Sequence, residues 1–352
     1  MVAPARHGAG TAARLGYLDS LKVLLTGLVI AHHAGQAYGP TGGRWPIFEP
    51  ERAAILGPFF SVNAAFFMGL FFLISAYFLP AAFDRKGTAG FLRDRFVRLG
   101  IPLVVSYVAF SALEQQPDVA HLWFVGHLLI YALMYASWRA LGLPRLALRL
   151  PSDRAIVAYG VGLAVVTFGI RIAFPIDRWV SVFGLLNVEV AHVPQYASLF
   201  ALGLVAARER WLERWPTNVG MRWLTIGVGL AALRYAYALG GDAVPRLSGG
   251  GFSPESLLWS TWEAFICVGL CVGLPVLFRE RFASPGRLIR WAARNAFGAY
   301  VLHIVPVVVG LQFALVGLSM DPLAKFAIVT VLGVPLSFAL AAAVRRAGWR
   351  TL

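Results

Sequence analysis

Arginine and lysine alternate with apolar stretches along this chain, and that alternation excludes most folds at once. Ten stretches, at 17–39, 56–80, 98–114, 121–141, 154–174, 191–207, 221–240, 257–278, 295–318 and 323–344, read as bilayer-crossing helices, each of which needs about 20 mainly apolar residues. With the N-terminus placed inside, the inner segments hold three, five, four, four, five and three basic residues, 24 of the chain's 31, and the outer segments hold 7. An excess of Lys and Arg marks the cytoplasmic side of a membrane protein, and one missed span would invert the pattern beyond it. The predicted fold class is an all-α integral membrane protein with about ten transmembrane helices, N-in and C-in. A cytoplasmic tail covers 1–16, a single transmembrane domain 17–346, and a second tail 347–352. The third stretch is short, and the sixth follows the polar run Asn187, Glu189, His192, Pro194 and Gln195, so an irregular start is expected there.

Composition agrees. Hydrophobic residues make up 59% of the chain and charged ones 14%, against roughly a quarter charged in soluble domains. Mean hydropathy is +0.69. The net charge of +14 belongs to membrane topology rather than to nucleic-acid binding, because no basic soluble domain exists to carry the latter. Cys267 and Cys271 lie one helical turn apart in an apolar run and read as small buried hydrophobes. The first stretch has some marks of a cleaved leader, but it outlasts a normal signal core and carries a lysine and two histidines. The outer segments 40–55, 175–190 and 241–256 are too small to fold alone.

Ionisable side chains inside a membrane are costly and mark function by default. Lys22 and His33 are eleven residues apart; at 100° per residue they share one stripe of the first helix, about 16 Å apart along its axis. His32 points about 100° away. A neutral imidazole in a water-poor site can take the proton of a hydroxyl as that hydroxyl attacks a carbonyl; the bland reading is an inter-helix hydrogen bond. Glu263 sits inside the eighth stretch and must face a partner or a cavity. It would orient an imidazole, bind substrate, or pair structurally with a basic residue such as Arg234. Arg95 and Arg98, with Arg93 beside them, would share a helix face and offer guanidinium forks to phosphates; ordinary topological anchoring is the competing reading. Tyr300 and His303 are three apart, and the fourth stretch opens with His121, Trp123 and, a turn deeper, His127. Trp123 also suits an interfacial aromatic belt. No metal site is expected.

Together these residues resemble the acyltransferase-3 family of membrane acyltransferases, over about Tyr17 to Val344. The matching marks are Lys22 with His33; the Phe71-Phe72-Leu73-Ile74-Ser75-Ala76-Tyr77 run closing the second span; Arg95 with Arg98; Leu122-Trp123-Phe124; and Tyr300 with His303. Ala76 stands where glycine is usual, and His127 where glutamate is expected. The His33-to-Pro40 stretch resembles the subgroup near glucan-modifying succinyltransferases. The resemblance implies transfer of an acyl group, acetyl or succinyl, from cytoplasmic acyl-CoA as co-substrate to a hydroxyl, less readily an amine, of a carbohydrate or other envelope acceptor, with no permanently bound cofactor. It implies His33 as base or transient acyl carrier, Lys22 at the donor or the oxyanion, Glu263 as orienter, Arg93, Arg95 and Arg98 at donor phosphates, and His32, Trp123, His127, Tyr300 and His303 around substrate. Its expected setting is the bacterial inner membrane. The competing class is a transporter or flippase, which uses intramembrane charges without consuming a thioester; paired interrupted half-helices, common in such folds, are not seen in the sequence.

Overall fold

A computed structural model describes residues 15–40, 45–114, 119–144, 147–182, 186–240 and 248–349. Most of the first expected tail and half of the second, with Arg44, Arg145 and Arg246, lie outside the described residues. In chain order the helices are α1 (Gly16–Gly35), α2 (Leu56–Tyr77), α3 (Leu79–Arg95), α4 (Ile101–Glu114), α5 (Trp123–Ala140), α6 (Asp153–Ala173), α7 (Val193–Glu209), α8 (Trp211–Arg214), α9 (Thr217–Leu239), α10 (Pro254–Arg281), α11 (Arg287–Leu302), α12 (Gly310–Leu315) and α13 (Pro322–Arg346). One short hairpin, β1 (Trp179–Val182) against β2 (Leu186–Glu189), pairs antiparallel with Trp179 opposite Glu189. A 3₁₀ turn over Val190–His192 then leads into α7, the irregular start that the polar run implied.

The protein is an all-α multi-pass membrane protein. Among the described residues seven helical segments are long and apolar enough to cross a bilayer, and the bent α11–α12 pair makes eight. The other two expected spans, α1 and α9, are helical but diluted: α1 by Asp19, Lys22, His32 and His33, α9 by Asn218, Arg222 and Arg234. The basic inner segment Arg85 to Arg98 is helical for most of its length. Gly87, at φ 66°, breaks α3, and helix resumes at once and runs on through α4. The third span therefore starts earlier than 98 and is not short.

Two π turns interrupt helices, and each lies at a proline. Proline has no N–H and its ring crowds the carbonyl four residues back. Pro102 follows the wide turn Phe96–Gly100, where the Ile101 N–H reaches back to Phe96 O. Pro306 lies within the second wide turn, Ile304–Val309; there the Val308 N–H bonds His303 O at 2.8 Å, and the chain bends by 78°.

α1 runs between two cores. Leu18, Leu21, Leu25 and Val29 pack with α2, α5, α7 and α10, while Ile30, Ala34 and Tyr38 pack with α11 and α13. In lipid, helices associate through close packing of small residues rather than through a hydrophobic drive. α9 and α10 meet backbone to backbone at Gly227 and Gly269, where an added Cβ on Gly269 would lie 2.8 Å from Gly227 Cα. Gly203 of α7 faces α2, with Leu73 O and Ala76 Cβ at 2.4 and 2.8 Å from where its own Cβ would be. The methyl of Ala76 thus fits in place of a hydrogen because glycine stands opposite. Gly203→Val should therefore destabilise the fold by about 1–3 kcal/mol through overpacking, measured by thermal or SDS unfolding in detergent; an unchanged transition would disprove the close approach.

Candidate active site

His33, half-buried, and His303, fully buried, 270 positions apart, meet with His303 Nε2 3.0 Å from His33 Nδ1. The neighbouring backbone decides which nitrogen holds each proton. His303 Nδ1 lies 2.7 Å from Tyr300 O, a pure acceptor, so this nitrogen carries the hydrogen and donates it. Nε2 of the neutral ring is then the lone-pair nitrogen, and His33 must supply the proton between them. His33 Nδ1–H donates to that lone pair and to Val29 O at 2.9 Å. The consequence is a neutral His33 whose Nε2 bears the free lone pair. Trp45 stacks on the His33 ring, with centroids 5.8 Å apart, and its indole N–H donates to Gln312 Oε1 at 2.8 Å. Gln312 in turn donates to Ala34 O at 3.0 Å, tying the outer loop to the end of α1.

His121 completes the cluster, its ring centroid 4.9 Å from that of His303 and 6.2 Å from that of His33. Its Nε2–H is shared between Tyr300 O and Val301 O, both at 3.1 Å. Tyr300 Oη donates back to His121 O at 2.5 Å. The carbonyls of 300 and 301 take these imidazole hydrogens because they sit where α11 ends ahead of the Pro306 break.

The other sequence-predicted residues lie elsewhere. Lys22 Nζ pairs with Asp19 at 2.8 Å and sits over the Phe78 ring. On the stripe between Lys22 and His33, Thr26 and Val29 are buried, so side chains fill that stripe. His32 packs among Phe59, Phe60 and Phe67, its ring centroid 5.8 Å from that of His33. Trp123 stacks on Tyr196, and His127 donates Nδ1–H to Trp123 O at 2.8 Å. These two belong to an aromatic wall leading away from His33. Arg95 is half-buried, paired with Asp94 at 2.6 Å, whereas Arg93 and Arg98 are exposed. The π turn between Arg95 and Arg98 has more residues per turn than an α-helix, so the two do not share a face as closely as three-residue spacing implied.

Glu263 does hold an imidazole, but that of His192. His192 Nε2–H donates to Glu263 Oε1 at 2.5 Å, and Arg171 Nη2 donates to Oε2 at 2.7 Å. The structural partner of Glu263 is therefore Arg171 and not Arg234, whose guanidinium lies over Trp259. His192 Nδ1–H donates to Glu189 Oε2 at 2.8 Å. Both ring nitrogens of His192 face carboxylates, so both carry hydrogens, and the four groups balance as two cations against two anions. Arg171 has 0% of its surface exposed. The signal for it was available in its place inside an apolar stretch; His192 lay in the polar run before α7. Trp45 and Gln312 carried no such signal.

His33, half-buried, thus meets two buried imidazoles, His121 and His303, in an all-helical membrane protein. A family model described as an acyltransferase domain matches residues 15–342, nearly the whole chain. The chain belongs to the acyltransferase-3 family and is a membrane acyltransferase. No curated protein and no solved structure matches it.

Removing one member of a buried ion pair strands its partner, at about 3–5 kcal/mol. Arg171→Met should cost that much in unfolding free energy, read by the same denaturation assay. Outside the spans, burial would raise the Glu189 carboxyl, but the adjacent His192 and the Asp177 N–H hold it below its ordinary value of 4.5. An acid depressed in this way stabilises the fold above its unfolded value, and that contribution is lost as pH falls through the folded one. The stability gap between wild type and Glu189→Gln should therefore close as pH falls below about 5; a gap that widens on acidification would contradict the assignment.

Proposed function

We propose that the chain transfers an acyl group, acetyl or succinyl, from acyl-CoA on the basic face to a hydroxyl of a carbohydrate or other envelope acceptor, with His33 as general base. The supporting observation is the hydrogen bond that fixes the His33 proton on Nδ1 and leaves Nε2 as the base. In the transfer, the acceptor hydroxyl gives its proton to Nε2 as its oxygen bonds to the thioester carbonyl carbon. The carbon–sulfur bond breaks, and the proton passes on to the leaving thiolate. A route through a transient acyl-imidazole uses the same lone pair and releases thiol before any acceptor binds.

The basic segments face the cytoplasm in this reading, with both termini inside and the protein in a bacterial inner membrane. Arg98, Arg93 and Arg95 meet the donor phosphates there. α1 is an unbroken helix from Gly16 to Gly35, so Lys22 lies about 16 Å along the axis from His33. That separation favours Lys22 at the donor near the mouth over Lys22 at an oxyanion formed beside His33. His303 positions the base by accepting from Nδ1–H. Glu263, with Arg171 and His192, supports the helices that surround the site.

His33→Ala should lower acyl-CoA-dependent thiol release by about 10²–10⁴-fold while its unfolding transition stays intact. Full activity in that variant would remove His33 from the mechanism. Arg95→Ala with Arg98→Ala should raise the donor KM by about tenfold or more, the scale of lost charged hydrogen bonds, with kcat little changed. An unchanged KM would sink the phosphate role.

A further inference from the structure

Between α4 and the Pro306 bend lies a cavity of about 210 Å³. Its wall includes Val105, Ser106 and Phe110 of α4, Val305 and Pro306 of the π turn, and His121. Val105 and Val305 are 48% and 44% exposed, and both stand on membrane-crossing segments, so the surface around the mouth faces lipid. Of the eleven residues lining the cavity, Ser106, His121 and Trp349, through its indole N–H, carry polar side-chain atoms. Ser106 and His121 are 8% and 7% exposed, and neither Ser106 Oγ nor His121 Nδ1 has a hydrogen-bond partner among the described residues.

Two buried polar atoms without partners, at one apolar cavity, need an explanation, since each costs about 1–3 kcal/mol when left unmade. The proton positions make the demand specific. His121 Nε2 carries the ring hydrogen, because both of its neighbours are carbonyls, so Nδ1 presents a lone pair and requires a donor. Ser106 can accept or donate. A hydroxyl has what each atom asks for, a hydrogen for Nδ1 and an oxygen that accepts from Ser106. An alkane or an ordinary acyl tail satisfies neither. A free sugar would leave its several hydroxyls unmatched against an apolar wall.

We propose that this cavity is a bilayer-facing binding site for a membrane-dissolved, long-chain alcohol, seated with its hydroxyl at His121 and Ser106 and its chain along α4. The His121 ring lies 4.9 Å from His303 and 6.2 Å from His33, so the seated hydroxyl arrives at the edge of the histidine cluster. The binding site stands without the acyl-transfer reading; the further role of this alcohol as acceptor rests on that reading. In that role the hydroxyl gives up its bond to His121 and passes its proton to His33 Nε2 as its oxygen bonds to the acyl carbon and the thioester carbon–sulfur bond breaks, the leaving thiolate then taking the proton.

The test uses full-length protein in nanodiscs, without donor. It is irradiated with a long-chain primary alcohol bearing a diazirine, or with the methyl ether of the same probe. Adducts of the alcohol should concentrate in 102–110 and 301–306, with the ether labelling these segments several-fold less. Ala109 lines the cavity and is exposed, so Ala109→Phe fills it without disturbing a core and should cut that labelling tenfold or more. Val108→Phe, one residue along on a lipid-exposed position outside the lining, should not. Equal labelling by alcohol and ether, or labelling that Ala109→Phe leaves unchanged, means ordinary lipid contact and overturns the site. With acyl-CoA added, Ala109→Phe should slow ester formation on the long-chain alcohol but not on a short water-soluble one. Turnover of the short alcohol alone overturns the acceptor role. Labelling as expected with no thiol release from any acceptor overturns the transfer reading and leaves the binding site standing.

Discussion

The carbonyl of Tyr300 holds the histidine cluster together. It accepts from His303 Nδ1–H and from His121 Nε2–H, and those two bonds decide the tautomer of every imidazole in the group. In a continuous helix a backbone carbonyl is spoken for by an amide four residues on. Here α11 ends at Leu302 and the chain bends into a π turn containing Pro306, at the place where side chains come in to bond the carbonyls. Non-helical backbone at membrane depth is tolerated only where protein surrounds it, and the imidazoles provide part of that surrounding. A proline in α11–α12 and the basicity of a nitrogen on α1 are thus linked through two hydrogen bonds.

The charged network at Arg171 solves a different problem. It joins α6, the turn before α7, and α10, with the cations and anions matched in number. Charge of this kind in lipid is affordable only when paired. Trp259 donates its indole N–H to Glu263 at 3.2 Å, and Tyr196 stacked on His192 and Trp123 stacked on Tyr196 lead from the network toward α5. Two polar centres therefore sit in one bundle, one of ions balanced in number, the other of imidazole rings bonded to one another and to backbone carbonyls. In the proposed acyl transfer the first is a structural clamp and the second the reaction site.

Much of the fold was legible because lipid imposes a simple rule on sequence. Apolar length and basic flanks located α2, α5, α6, α10 and α13 closely. Legibility failed where a local event overrode the average. Gly87 interrupts a helix inside a basic inner segment, and the hairpin at 179–189 is too short to show a strand pattern among tryptophan and polar residues. For the site, His33 and His303 were visible as histidines inside apolar stretches. Glu263 was visible too, but its partner was not, since Arg171 lies 92 positions away and Arg234 looked equally available.

What the sequence determined alone is the solvent: a chain of this hydropathy and charge alternation must satisfy its backbone inside lipid, and helices are the means. It also determined which ionisable groups would be carried into that solvent. Only the tertiary structure decided which of them meet and where each proton resides. A hydrogen bond is made or lost within about half an ångström, while the residues concerned are separated by 71 to 270 positions. Periodicity along one helix specifies a face, and the choice of neighbour across that face belongs to the packing of the bundle.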